Sequence, residues 1–211
     1  TFKYEIPYML LITAVLLVMG MTGNEITFIE GVILWILFIA YLLYLYILAK
    51  KGNDSGDEQS VKLYPVWKCL LFIVLGGVCV VIGSQFVVNG ATTIARACGM
   101  SERFIGLTIV AFGTSLPELV TSVSAARKGN AGIAIGNIVG SNIFNILFVV
   151  GTVALICPVP FESRFVIDTV VAILCGVLLW GGTIRHKELR KPCGVVMLLC
   201  YAAYFVYLAA M

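Results

Sequence analysis

One carboxylate, Glu118, stands deep inside an apolar stretch, in the run Ile105-Gly-Leu-Thr-Ile-Val-Ala-Phe-Gly-Thr-Ser-Leu-Pro-Glu118-Leu-Val-Thr-Ser-Val-Ser124. An ionised carboxylate at membrane depth costs about 3 to 10 kcal/mol unless a cation or a proton neutralises it. An ion or proton site is therefore the first reading. At helical spacing, Thr108, Ala111, Ser115, Glu118 and Ser122 share one face, a stripe of small and oxygen-bearing groups suited to a hydrated path or an ion cage. Pro117 offers no N–H to the carbonyl of Gly113, and its ring disturbs that turn, so carbonyls near Gly113 and Thr114 leave the helix ladder. At membrane depth such carbonyls persist only where protein or a cavity satisfies them. Carbonyls, hydroxyls and a carboxylate are what hard cations such as Na⁺ or Ca²⁺ prefer. The bland alternative has each hydroxyl bonding back to its i−4 carbonyl and Pro117 only kinking the helix. It leaves Glu118 unexplained.

A second polar run, Gly132-Ile-Ala-Ile-Gly136-Asn137-Ile-Val-Gly140-Ser141-Asn142-Ile-Phe-Asn145, follows at once. Gly132, Gly136 and Gly140 form a small-residue seam on which another helix is expected to pack closely. Asn137, Ser141 and Asn145 make a parallel stripe, one residue later. Their amide and hydroxyl oxygens could complete a cation site opened by Glu118 or serve as interhelical hydrogen-bond glue, and for Asn137 and Asn142 glue is the better reading. Gln85 and Asn89 are an i, i+4 polar pair that fits packing or a gating contact equally well. Asp168 is most simply an interfacial ion pair with Arg164, and His186 a solvated loop residue.

The elements that hold these residues are membrane spans. Hydrophobic residues make up 61% of the chain and charged ones 12%, with a mean hydropathy of +1.05. A soluble domain carries about 25% charge. The expected fold class is all-α, a polytopic membrane protein with seven spans at about 6–22, 31–49, 67–95, 104–126, 131–156, 165–183 and 194–211, each near the ~20 residues a bilayer requires. The first lacks the flanks of a cleaved signal peptide. Residues 50–66 read as a polar linker unable to bury a core. With the N-terminus cytoplasmic, eleven basic residues lie inside (Lys3, Lys50, Lys51, Lys62, Lys68, Arg127, Lys128, Arg185, Lys187, Arg190, Lys191) and three outside (Arg96, Arg103, Arg164). That positive-inside bias puts the C-terminus outside, as in a multi-pass protein of the cell (inner or plasma) membrane. The basic residues are orientation signals beside acidic lipid headgroups, and nucleic acid is excluded as a partner. The seven cysteines lack metal-ligand spacing. Cys79, Cys175 and Cys200 read as small apolar packers, and nothing in the spacing argues for a bridge between Cys98 and Cys157.

The pair Gly113-Thr-Ser-Leu-Pro-Glu118 and Gly136-Asn-Ile-Val-Gly-Ser-Asn-Ile-Phe-Asn145 resembles the second α-repeat of the cation/calcium exchanger superfamily, in its bacterial sodium/calcium antiporter branch. The resemblance covers residues 67–211, and residues 1–49 fit the fourth and fifth helices of that fold. It implies a ten-helix antiporter of two inverted five-helix repeats. Residues 1–49 would be the last two helices of the first repeat, 50–66 a cytoplasmic linker and 67–211 the second repeat, with 104–126 and 131–156 as its ion-binding core. Carried over by position, Glu118 is the main carboxylate. Ser115 and Ser141 give side-chain oxygens, Ala111 and Thr114 backbone carbonyls, and Asn145 the last ligand. Some sodium/calcium exchangers have Asp at that last position, so Asn145 lowers the site's charge.

The function so implied is secondary antiport of Ca²⁺ against Na⁺ by alternating access, with no cofactor beyond the transported ions. Cation/proton exchange, with Glu118 carrying H⁺, is the alternative. A membrane-embedded enzyme is disfavoured, because there is no HExxH motif and one carboxylate cannot do two-carboxylate acid/base chemistry. A channel is disfavoured too. The chain, which does not begin with Met, is expected to be a fragment carrying half of the ion site. By itself it would leave that face exposed or packed against a second copy.

Overall fold

The computed structural model describes residues 4–52, 65–100, 105–184 and 189–210. The central part of the expected linker and of the basic loop, His186 included, lies outside these residues. Helix α1 runs Glu5–Gly23 and α2 Phe28–Gly52. Helix α3 is Val66–Ala97. A π-helical turn, Gly106–Val110, leads into the short α4, Ala111–Thr114. Helices α5, Leu116–Arg127, and α6, Ala131–Phe144, follow. A second π-helical turn, Asn145–Val150, joins α6 to α7, Gly151–Ile156. Helices α8, Ser163–Thr183, and α9, Lys191–Ala210, complete the described chain.

Among the described residues five helices are long and apolar enough to cross a membrane, and a sixth span is the bent pair Thr108–Thr114 and Leu116–Arg127. Each sits on a span read from the sequence, as does α9, whose apolar run is Lys191–Tyr207. The all-α expectation gains one small addition. Glu25–Ile26 pairs antiparallel with Val159–Pro160, and the Phe161 N–H donates to the Asn24 carbonyl at 2.7 Å. This ribbon ties the α1–α2 loop to the α7–α8 loop, so both lie on one side of the membrane. Asn24 closes α1 in the left-handed conformation, at φ 56°, which Asn tolerates better than most residues. Thr27 and Glu30 start α2: the Thr27 N–H and hydroxyl both donate to Glu30 Oε2, at 2.7 and 2.8 Å. That is the Thr-x-x-Glu cap expected at a helix start.

The core lies between α1, α2 and the α6–α7 span. Ile6, Ile12, Leu34, Val139, Ile143 and Leu147 are fully buried there, and Trp35, Phe38 and Phe148 pack ring against ring. The close approach of α2 and α7 depends on two glycines. A Cβ on Gly31 would sit 3.0 Å from the Ala154 Cβ and the Gly151 carbonyl, and one on Gly151 would sit 3.2 Å from the Leu34 Cβ. Trp35 Nε1 donates to the Thr152 hydroxyl across the same seam, at 3.2 Å. The glycines singled out in the sequence behave differently. A Cβ on Gly132 or Gly140 would meet nothing within 4 Å, so among the described residues no helix packs tightly on these two, whereas Gly31 and Gly151 do sit in close contact.

This gives a first prediction. Gly31→Leu should lower the melting temperature in detergent, at a cost of about 1–3 kcal/mol from overpacking. Gly76→Leu, whose Cβ meets nothing within 4 Å, should leave it unchanged within about 0.5 kcal/mol. Equal melting temperatures for the two variants would show that the seam is loose.

Helix α3 stands apart. Ala95 is its one buried described residue, as fits a helix whose flank meets lipid or a further element. It touches the broken helix where Val88 packs on Gly113, with no room for a Cβ. Helix α9 is held to α8 by the Tyr204 hydroxyl, which donates to Asp168 Oδ1 at 2.6 Å. Asp168 thus has a hydroxyl partner in the neighbouring helix, where the sequence suggested Arg164, whose side chain lies outside the described residues. None of the seven cysteines forms a disulfide; Cys79 and Cys200 are exposed instead of packed, and Cys175 is partly buried.

Candidate cation site

The span expected at 104–126 is broken. Its two helical pieces meet at Ser115 with a bend of 51°. The cause is local. Pro117 lies in the first turn of α5 and cannot donate to the Gly113 carbonyl, so the ladder stops there. Ser115 takes φ −92°, ψ 0°, the sparsely allowed bridge region common at functional turns. Its N–H turns back to the Phe112 carbonyl at 3.1 Å, and its own carbonyl accepts from Leu119 N–H at 3.0 Å, which starts the next helix. The bend therefore sets the carbonyl end of α4 beside the N–H end of α5. A helix N-terminus favours an anion, and Glu118 occupies this first turn.

The Glu118 side chain is half-buried, and its Oε2 is buried with no hydrogen-bond partner. A buried carboxylate oxygen without a donor is destabilising, and it marks a place where a ligand or ion belongs. Among the described residues no three His, Cys, Asp or Glu side chains gather into a metal cluster.

Helix α6 packs antiparallel against α5. Asn137 Nδ2 donates to the Glu118 carbonyl and to Ser122 Oγ, both at 3.1 Å, and Ser122 Oγ donates to the Ala134 carbonyl at 3.2 Å. Ser115 and Thr114 are exposed at the bend, Ser141 is partly buried, and Asn145 is exposed where α6 passes into the π-helical turn. The Ala111 backbone opens α4; its side chain lies outside the description. Ser141 Oγ presently donates to its own helix, to the Ile138 carbonyl at 3.0 Å, and would rotate away to act as a ligand.

Two expectations change. Ser122 does not continue the Glu118 stripe towards a hydrated path; it is buried in the helix contact, because the stripe turns inward beyond the bend. Asn142 is exposed and bonds back to the Ile138 carbonyl at 2.8 Å, so it joins no helices among the described residues. Asn137 does. On α3, Gln85 and Asn89 are exposed and line a cavity of about 360 Å³ with Val81, Ile82 and Phe86.

Residues 68–210 match the sodium/calcium exchanger protein family. The chain belongs to the sodium/calcium exchanger family. Among relatives of this exchanger chain, the putative antiporter CaxA of Alkalimonas amylolytica is 34% identical over 214 residues, covering 97% of this chain and 67% of CaxA. The sodium/calcium exchanger MaX1 of Methanosarcina acetivorans is 38% identical over 142 residues, covering 67% of this chain and 41% of MaX1. The solved structure of the sodium/calcium exchanger from Methanococcus jannaschii superposes with a TM-score of 0.77 at 31% identity, over 95% of this chain and 63% of that one. The exchanger chain thus spans between two fifths and two thirds of the length of these proteins.

Proposed function

We propose that this exchanger chain carries half of the ion site of an antiporter that moves Ca²⁺ out of the cell as Na⁺ enters. The observation that carries the reading is the orphaned Glu118 oxygen at a break in a membrane-spanning helix. Both ions compete for oxygens of one kind: the Ala111 and Thr114 carbonyls, the Ser115 and Ser141 hydroxyls, the Glu118 carboxylate and the Asn145 amide. Names borne by relatives, a sodium/calcium exchanger among them, support the choice of ions. Residues 1–49 serve as the last two helices of a first repeat and 67–211 as the second, and the other half of the site comes from outside these residues. The ions are the cargo, and the reading requires no resident cofactor. In proteoliposomes holding the whole protein, an imposed Na⁺ gradient should drive saturable Ca²⁺ flux with the pH gradient collapsed. Flux that follows the pH gradient and ignores Na⁺ would move the assignment to cation/proton exchange.

The eleven-to-three distribution of Lys and Arg supports a cell-membrane protein with loops 50–66, 127–130 and 184–193 in the cytoplasm and the C-terminus outside. In a cysteine-free background, a membrane-impermeant thiol reagent applied to intact cells should label Glu162→Cys and spare Glu188→Cys. The reverse pattern would invert the topology.

A further inference from the structure

Asn137 is accounted for so far only as a bond between helices, yet one of its acceptors is the main chain of Glu118 itself. We propose that Asn137 is a positioning residue for the cation site: it sets the turn bearing Glu118 against the oxygens of α6. This rests on the exchange reading above.

The orientation of the amide follows from its neighbours. Ser122 Oγ spends its proton on the Ala134 carbonyl, and the Glu118 carbonyl can only accept. Both therefore require a donor, and only the NH₂ end of Asn137 supplies two. The result is a closed set of three bonds, two from α6 to α5 and one back. None of the three touches the Glu118 carboxylate, whose Oε2 is without a partner, so the latch holds the turn and leaves that oxygen available to an ion. It lies one helical turn from Ser141 on α6 and holds the residue that bears the charge on α5. A slip of either helix along the other breaks all three bonds together. Nearby hydroxyls do no such work: Thr121 Oγ1 points outward and bonds back to the Pro117 carbonyl at 2.8 Å.

The test separates positioning from mere cohesion. In proteoliposomes of the whole protein, Na⁺-driven Ca²⁺ flux is measured against Ca²⁺ concentration for Asn137→Ala, Ser122→Ala and Thr121→Ala. Asn137→Ala should raise the half-saturating Ca²⁺ about ten-fold, the worth of one well-placed hydrogen bond, with the maximal rate per folded molecule within about two-fold. Ser122→Ala keeps the bond to Glu118 and should shift it less. Thr121→Ala should not shift it. If Asn137→Ala inserts poorly, Asn137→Leu, close in volume and without donors, carries the same expectation. Variants with less folded protein but parental half-saturation overturn the latch and leave Asn137 as packing alone. No Ca²⁺ flux in the parent overturns the exchange reading and the latch with it.

Discussion

Replacing Glu118 with Gln should abolish Ca²⁺ exchange by the whole protein while leaving it folded and inserted. The substitution keeps the shape of the side chain and the Asn137 bond, which goes to the Glu118 backbone. It removes the charge. Among the described residues no group of three or more His, Cys, Asp or Glu side chains stands ready to replace it. Stripping the charged partner from a desolvated ion typically costs about 3–5 kcal/mol, so half-saturating Ca²⁺ should rise by about 100-fold or more. Glu118→Asp keeps the charge on a shorter stem and should retain a fraction of the activity. The check is Na⁺-driven Ca²⁺ uptake alongside a melting curve in detergent. Parental uptake by the Gln variant would remove Glu118 from the site.

Calorimetry on the 211-residue chain should find Ca²⁺ binding no tighter than about millimolar. The expectation comes from ligand chemistry. Ca²⁺ takes six to eight oxygens, and its affinity tracks the number of anionic ligands and the rigidity of the cage. Ala111, Thr114, Ser115, Glu118, Ser141 and Asn145 offer about one oxygen each and a single charge between them. Thr114, Ser115 and Asn145 are exposed, so within this chain the proposed ligands are not enclosed. Two copies meeting in opposite orientation would supply a second carboxylate, but the positive-inside bias opposes dual insertion. Micromolar binding by this chain would show that the site is complete without further residues.

The spans, the break and the carboxylate were legible because each rests on local chemistry. A run of apolar residues has one stable place in water or lipid, and every described helix lies on a run picked out that way. Pro117 lacks an N–H in any context, so the interruption before α5 followed from residue type alone. Glu118 stood out because a lone charge among apolar neighbours demands a partner wherever the chain folds.

Other features depended on which helices meet. Gly132, Gly136 and Gly140 have the spacing of a packing seam, but spacing cannot say whether a helix arrives. Here Gly31 and Gly151, which form no motif, make the close contact instead. Ser122 lies at helical spacing from Glu118, yet the 51° bend and the antiparallel return of α6 turn it into the interior. Asp168 accepts a bond from Tyr204, 36 residues later, a partner that spacing along one helix does not reveal. Residue type and periodicity determined where the chain crosses the membrane and which residue bears the charge. The register between α5 and α6 came only from the tertiary structure, because a side-chain hydrogen bond across helices depends on rotation and offset that neither helix encodes alone.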